Sequence, residues 1–234
     1  MARLSYGFYD GDTVEIARKL LGKVVVRTLD GVRLAGRIVE TEAYIGRCDK
    51  ACHAYGYRKT ARTAPLFLPP GHAYIYLIYG MYHCLNFVTE PEGEPAAVLI
   101  RAIEAVEGAD FMRRQRYGDR PVTAARERNL LNGPGKLCQA LALTTAQNGI
   151  DLTGDTLFVC DSPADIGLEC PTRREKIKSG PRIGIDYAEE ARFFPWRFTL
   201  EADGIRDPSP CPPSLSGTGE RNPESRDFNR KRLS

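Results

Sequence analysis

Two carboxylates and a phenol ring recur at every second residue of one short stretch, Gly36-Arg37-Ile38-Val39-Glu40-Thr41-Glu42-Ala43-Tyr44-Ile45. Side chains of a strand alternate faces. Read as a strand, this stretch puts Ile38, Glu40, Glu42 and Tyr44 on one side and Val39, Thr41, Ala43 and Ile45 on the other. An exposed sheet face accommodates that pattern. So does a carboxylate beside an aromatic platform, the arrangement that hydrolysis of a bond to a flat, stackable group requires. A second cluster, Tyr74-Ile75-Tyr76-Leu77-Ile78-Tyr79-Gly80-Met81-Tyr82-His83-Cys84-Leu85-Asn86, places Tyr74 and Tyr76 on one strand face and Tyr79 at a hairpin tip beside Gly80. Tyrosines inside strands are ordinarily cross-strand packing pairs. A large ring at the tip of a turn buries little in its own domain and is a candidate wedge for a stack of bases. Rings for a pocket, and one more for the gap left behind, are what a base-modifying enzyme needs, because its target atom is out of reach inside a duplex.

Asn132-Gly133-Pro134-Gly135-Lys136 reads as a turn opening a short helix, where glycine-rich backbone and Lys136 favour an anion. It is no P-loop, since G-x-x-x-x-G-K-[ST] is absent, and neither G-x-S-x-G nor H-E-x-x-H occurs. The seven cysteines are odd in number and scattered, with no C-x-x-C, so they read as free thiols of a reducing cytoplasm. Cys48, Cys52 and His53 lack a second ligand pair at zinc-site spacing, and no metal is expected.

The elements that must position these residues follow from pattern and punctuation. Asp12 caps a helix from Thr13 to Leu21, closed by Gly22. Strands are expected over Lys23–Leu29, Val32–Ile45, Ala73–Tyr79, Tyr82–Val88, Ala96–Ile103, Thr156–Cys160, Arg182–Ile185 and Trp196–Leu200, with a turn at Asp30-Gly31 and a loop from Gly46 to Gly71. Helices are expected over Glu107–Tyr117, Thr123–Leu131 and Lys136–Leu143. Hairpins with clustered helices predict an α+β fold with a largely antiparallel sheet.

At 234 residues with 42% hydrophobic and 27% charged side chains, the chain has an ordinary globular composition, which excludes wholesale disorder and fibrous classes. No apolar run reaches membrane-spanning length, and no apolar leader follows Met1, so neither a membrane nor a secreted location is expected. The net charge is +3. Its cations gather at Tyr57–Arg62 and Thr172–Arg182, flanking the aromatic middle, which fits a solvated face or a phosphate-binding surface. From Ile205 onward Pro and Ser dominate and large apolar residues thin out, so 205–234 reads as an unstructured tail after a domain over 1–204.

Taken in order, Val39-Glu40-Thr41-Glu42-Ala43-Tyr44, His53, Tyr74 to Tyr82, Asn86, Leu99-Ile100-Arg101-Ala102 and Asn132-Gly133-Pro134-Gly135-Lys136-Leu137 resemble the alkyladenine (3-methyladenine) DNA glycosylase family of the mammalian type, over about Asp10 to Leu200. The resemblance implies a single mixed domain with a curved antiparallel sheet, surrounding helices and a protruding DNA-intercalating β-hairpin. It implies a monofunctional enzyme that excises damaged purines from double-stranded DNA, needing no cofactor and acting as a monomer, associated with the nucleoid if the source is bacterial. By the same resemblance Glu42 activates water and Arg101 acts beside it. Tyr44, His53, Tyr76 and Asn86 form the base pocket, and Tyr79 intercalates. Met81, Tyr82 and Lys136 touch DNA. Non-catalytic binding of damaged DNA, or stacking of single-stranded RNA, is the alternative the rings alone would permit.

Overall fold

The computed structural model describes residues 2–169 and 174–202, so the tail expected over 205–234 and Arg173 of the basic run lie outside the described residues. In chain order the elements are α1 (Tyr6–Tyr9), α2 (Thr13–Lys19), β1 (Val24–Leu29), β2 (Val32–Ile45), β3 (Ala73–Ile78), β4 (Tyr82–Val88), β5 (Ala96–Glu107), α3 (Ala109–Tyr117), α4 (Ala124–Arg128), α5 (Pro134–Ala140), β6 (Leu157–Cys160), β7 (Glu175–Gly180) and β8 (Arg197–Ala202). The Asp12 side chain accepts from the Glu15 amide and caps α2, as the sequence predicts. The helix then buries Ile16, Ala17 and Leu20 against the sheet.

Among the described residues every strand pairing is antiparallel, in the order β3-β4-β5-β2-β1-β6, with the β7–β8 hairpin attached to β2. The expected α+β architecture is the observed one. Five expectations need correction. Residues 182–185 form no strand; their segment is an irregular loop, and the strand beside β8 is β7, three exposed residues of which, Lys176, Ile177 and Lys178, read as surface rather than sheet. The helix expected over Thr123–Leu131 shortens to α4, since Leu130 and Leu131 leave it to pack into the core. The helix expected at Lys136 begins two residues earlier, because Pro134 is suited to a first helical position. Strand β5 runs on to Glu107, carried by its pairing with β2.

The fifth correction concerns the faces of β2. Ile38 does not share a side with Glu40, Glu42 and Tyr44. The pairing with β5 shifts at Val39, an extra residue on β2, and shifts back at Arg101, an extra residue on β5. A bulge of this kind reverses the alternation. Leu34 and Ile38 face the main core before it, and Thr41 and Ala43 face that side after it. Glu40, Glu42 and Tyr44 are thereby turned together to the opposite face. The bulge also marks where β2 changes partner along one edge. Val32–Arg37 pair with β1, and Glu40–Glu42 pair with Arg197–Thr199 of β8.

At the end of β2 the chain turns sharply into the loop that carries His53. The Gly46 amide donates to the Pro95 carbonyl at 2.7 Å, and its own carbonyl accepts from Gly56. A Cβ at Gly46 would lie 2.6 Å from the Pro95 oxygen and 3.0 Å from that of Ala54, both backbone atoms that cannot swing aside. Gly46→Ala should therefore cost about 1–3 kcal/mol, the usual range for overpacking. A thermal melt showing no drop in Tm would overturn this account of the turn.

Candidate active site

Glu42 has no solvent exposure, and its charge is held by donors from three separate segments. Oε1 accepts from the Ile183 amide at 2.8 Å. Oε2 accepts from the Tyr44 hydroxyl at 2.7 Å and faces the Arg101 guanidinium at 3.5 Å. Burial pushes the carboxyl above its ordinary range; Arg101, the Ile183 amide and the Tyr44 hydroxyl work against that rise, and Glu40 adds to it. The strand reading placed Glu42 and Tyr44 together. It did not anticipate Ile183, some 140 residues away in sequence, which supplies its backbone donor.

Tyr44 is clamped from behind. The Arg182 guanidinium lies 4.6 Å from the Tyr44 ring and 5.2 Å from that of Trp196. Arg182 and Asp49 form a fully buried pair, with Nη2 donating to Asp49 at 2.8 Å, and Arg182 also donates to the Ala43 and Ala191 carbonyls. Removing one partner from such a pair typically costs about 3–5 kcal/mol. The sequence reading counted Arg182 as one cation of a basic run. Only its burial shows it to be the anchor of the platform and of the loop presenting Ile183.

The opposite wall is aromatic as well. The His53 and Tyr76 rings meet edge-to-face with centroids 4.6 Å apart, and His53 Nδ1 lies 3.0 Å from the Tyr74 hydroxyl. Burial, and then the nearby Arg62, lower the His53 pKa to about 4, so the imidazole is neutral at physiological pH. Arg62 sits 5.0 Å from the Tyr76 ring. Asn86 is buried between the walls, its amide donating to the Tyr74 and Cys84 carbonyls.

These groups enclose a cavity of about 550 Å³. Tyr44, His53, Tyr76, Asn86, Arg101, Tyr79, Tyr82 and Lys136 all border it, and the Glu42 carboxylate lies behind Tyr44 and Arg101. The structure thus gathers the residues singled out in the sequence around one space. Two do not border the cavity: Glu42, fully buried behind its wall, and Met81, exposed on the hairpin. The hairpin turn closes through the Met81 amide and the Ile78 carbonyl, with Tyr79 at φ 52° and Gly80 at φ 69°. Two successive left-handed residues match the twist of the flanking strands. Tyr79 is 82% exposed there. Helix α5 packs beneath the hairpin so closely that a Cβ on Gly135 would lie 3.0 Å from that of Tyr82. Lys136 Nζ donates to the Asn129 side chain at 2.8 Å. Tyr187, which the sequence reading passed over, borders the cavity mouth from the loop after Ile183 and is two-thirds exposed. The five cysteines among the described residues, Cys48, Cys52, Cys84, Cys138 and Cys160, are free thiols, in line with the scattered spacing.

The raised carboxyl of Glu42 has a consequence for stability. A carboxyl whose folded pKa exceeds its unfolded one favours the fold while protonated, and that contribution is lost as pH rises through the folded pKa. At neutral pH Glu42 is therefore a net cost to the fold. Glu42→Gln should melt above the parent protein at pH 7.5, and the difference should shrink as pH falls toward 4. A difference that grew on acidification would reverse the sign assigned here.

Comparison with known proteins concerns the chain as a whole. A family profile described as methylpurine-DNA glycosylase matches residues 7–204. A relative from Bacillus thuringiensis (strain Al Hakam), provisionally named 3-methyladenine DNA glycosylase, is 53% identical over 194 residues, covering 83% of this chain and 93% of its own. Relatives of the same provisional name from Bacillus cereus (strain Q1) and Bacillus anthracis (strain CDC 684 / NRRL 3495) are 52% and 51% identical over the same coverage. With a buried carboxylate, a ringed cavity and an exposed hairpin tyrosine on one face of its sheet, and with that match over most of its length, the chain belongs to the methylpurine-DNA glycosylase family.

Proposed function

We propose that this enzyme flips alkylated or deaminated purines, of the 3-methyladenine, 7-methylguanine, hypoxanthine and ethenoadenine class, out of duplex DNA and hydrolyses their N-glycosidic bond, leaving an abasic site. The observation that carries this reading is the Glu42 carboxylate, buried between Tyr44 and Arg101 behind an aromatic-walled cavity that opens beside the exposed Tyr79. A module that only bound damaged DNA or single strands would gain nothing from a desolvated carboxylate in that place.

In this mechanism Tyr79 fills the gap left by the flipped nucleotide, and Met81, Tyr82 and Lys136 support the distorted duplex around it. The base enters between Tyr44 on one side and His53 and Tyr76 on the other, with Asn86 crowding the exocyclic amine of a normal guanine. Neutral His53 adds no further positive charge to the stacking wall of a pocket that must accept cationic alkylpurines. Glu42 takes a proton from water as that water attacks the sugar carbon, and its charge stabilises the oxocarbenium-like sugar. Its Oε1 accepts one protein hydrogen bond and retains acceptor capacity for the water. Arg101 borders the cavity and opposes the rise that burial imposes on the Glu42 carboxyl. A base alkylated at N3 or N7 leaves as a neutral molecule, so Glu42 and the stacking walls suffice, with no metal, organic cofactor or amine nucleophile. The chain acts as a monomer within the cytoplasm, and its tail over 205–234 has no part in excision.

Duplexes carrying one defined lesion test the reading directly. Glu42→Gln should retain lesion binding while its single-turnover excision falls by at least about 10²–10⁴-fold, the usual worth of general-base assistance. Near-normal excision by this variant would remove Glu42 from the role, and a product strand nicked without added base or heat would refute simple hydrolysis. Tyr79→Ser should act earlier. Loss of a stacking ring is worth about 1–3 kcal/mol, and it should appear as a smaller flipped population by ethenoadenine fluorescence. Equal signals from variant and parent would exclude Tyr79 as the wedge.

A further inference from the structure

The excision reading leaves Glu40 without a task, yet its side chain is as well buried as that of Arg101, 12% against 13% exposed. One of its oxygens, Oε1, accepts from Arg101 Nε at 3.1 Å and from Arg197 Nη1 at 3.1 Å. Each of those arginines leads on to Glu42 by a different route. Arg101 reaches Glu42 Oε2 with Nη1 at 3.5 Å. Arg197 donates from Nε to the Pro181 carbonyl at 3.0 Å, two residues before the Ile183 amide that holds Glu42 Oε1. The backbone sets up both routes. Glu40 is paired with Ala102 of β5 and Thr199 of β8, between the Val39 bulge and the Arg101 bulge, and Glu42 is paired with Arg197.

We infer that Glu40 is a positioning residue for the reaction: through one oxygen it fixes both supports of the Glu42 carboxylate and holds Arg101 back from closing on Glu42 as a two-toothed pair. This rests on the glycosylase reading of the site. The reason is geometric and electrostatic. A guanidinium and a carboxylate left alone favour two parallel hydrogen bonds. Such a pair would occupy the acceptor positions that water needs and would weaken Glu42 as a base. With Glu40 engaging Nε, Arg101 offers Glu42 a single, long contact. The groups that face Glu42 are Glu40 and Tyr44 from β2, Arg101 from β5, the Cys84 thiol from β4, the Ile183 amide and Arg182 from the loop, and Arg197 from β8 through Glu40. Of these, Glu40 is the carboxylate that offsets the cations.

The test is the pH dependence of single-turnover release of 7-methylguanine from duplex DNA. That cationic base leaves without being protonated, so the acidic limb reports the general base. Glu40→Gln keeps size and shape but removes the charge. Its limb should move to lower pH by about one unit, as expected for losing a carboxylate in this neighbourhood. Its plateau should fall by about tenfold because the base is weaker and its supports are looser. Arg197→Gln, at a side chain 30% exposed, removes a cation from the same network and should move the limb the other way, to higher pH. An unshifted limb in Glu40→Gln overturns the inference, even where the plateau or the Tm falls, because a residue needed only for folding would lower the rate without moving the limb. If Glu40→Gln fails to fold, an unshifted limb in Arg197→Gln overturns it in its place. Parent protein and Glu42→Gln run in parallel. A parent that releases no 7-methylguanine refutes the glycosylase reading itself, and the inference falls with it.

Discussion

A carboxyl group with no solvent exposure is the constraint to which the rest of the site answers. Taking such a group out of water costs several kcal/mol unless hydrogen bonds and an opposite charge replace the lost hydration. Glu42 finds them in three places: a neighbour on its own strand, an arginine on β5, and a backbone amide in the loop before β8. None of these stands alone. The amide is fixed by the Arg182–Asp49 pair and the Arg197 contact to Pro181, and Arg101 is shared with Glu40. The polar network behind the cavity is therefore one connected structure, and loosening any member exposes the same buried charge.

The sheet supplies the frame for that network by breaking its own regularity. An unbulged β2 would carry Ile38, Glu40 and Glu42 on a single face and would have to bury either an isoleucine among carboxylates or carboxylates in the core. The extra residue at Val39 separates them, and the compensating one at Arg101 restores the register while aiming the guanidinium between Glu40 and Glu42. The change of partner from β1 to β8 at the same point brings Arg197 and, through the following loop contacts, Ile183 to the carboxylate. Bulges beside active sites commonly re-aim side chains in this way.

The cations nearest the aromatic walls stand behind the rings rather than in the cavity. Arg182 backs Tyr44 and is neutralised by Asp49, Arg62 lies beside Tyr76, and neither borders the cavity. The cation that does border it beside Glu42 is Arg101, balanced by two carboxylates, and the imidazole on the far wall is neutral. An aromatic-lined space of this kind accepts a flat ring by stacking, with polar discrimination left to a few fixed groups such as Asn86.

By itself the sequence determined the alternation that unites Glu40, Glu42 and Tyr44, the hairpin with Tyr79 at its tip, the capped helix α2 and the antiparallel α+β class. These are local matters of period, turn chemistry and capping, and each is written in neighbouring residues. Tertiary structure alone decided that Ile38 leaves the Glu42 face, that Arg182 is a buried anchor rather than one more surface cation, and that residues 182–185 form a loop while Lys176, Ile177 and Lys178 form a strand. A bulge depends on how two distant strands register, and a buried ion pair on which segments meet. Asp49 and Arg182 stand 133 residues apart, and no local pattern records that they touch.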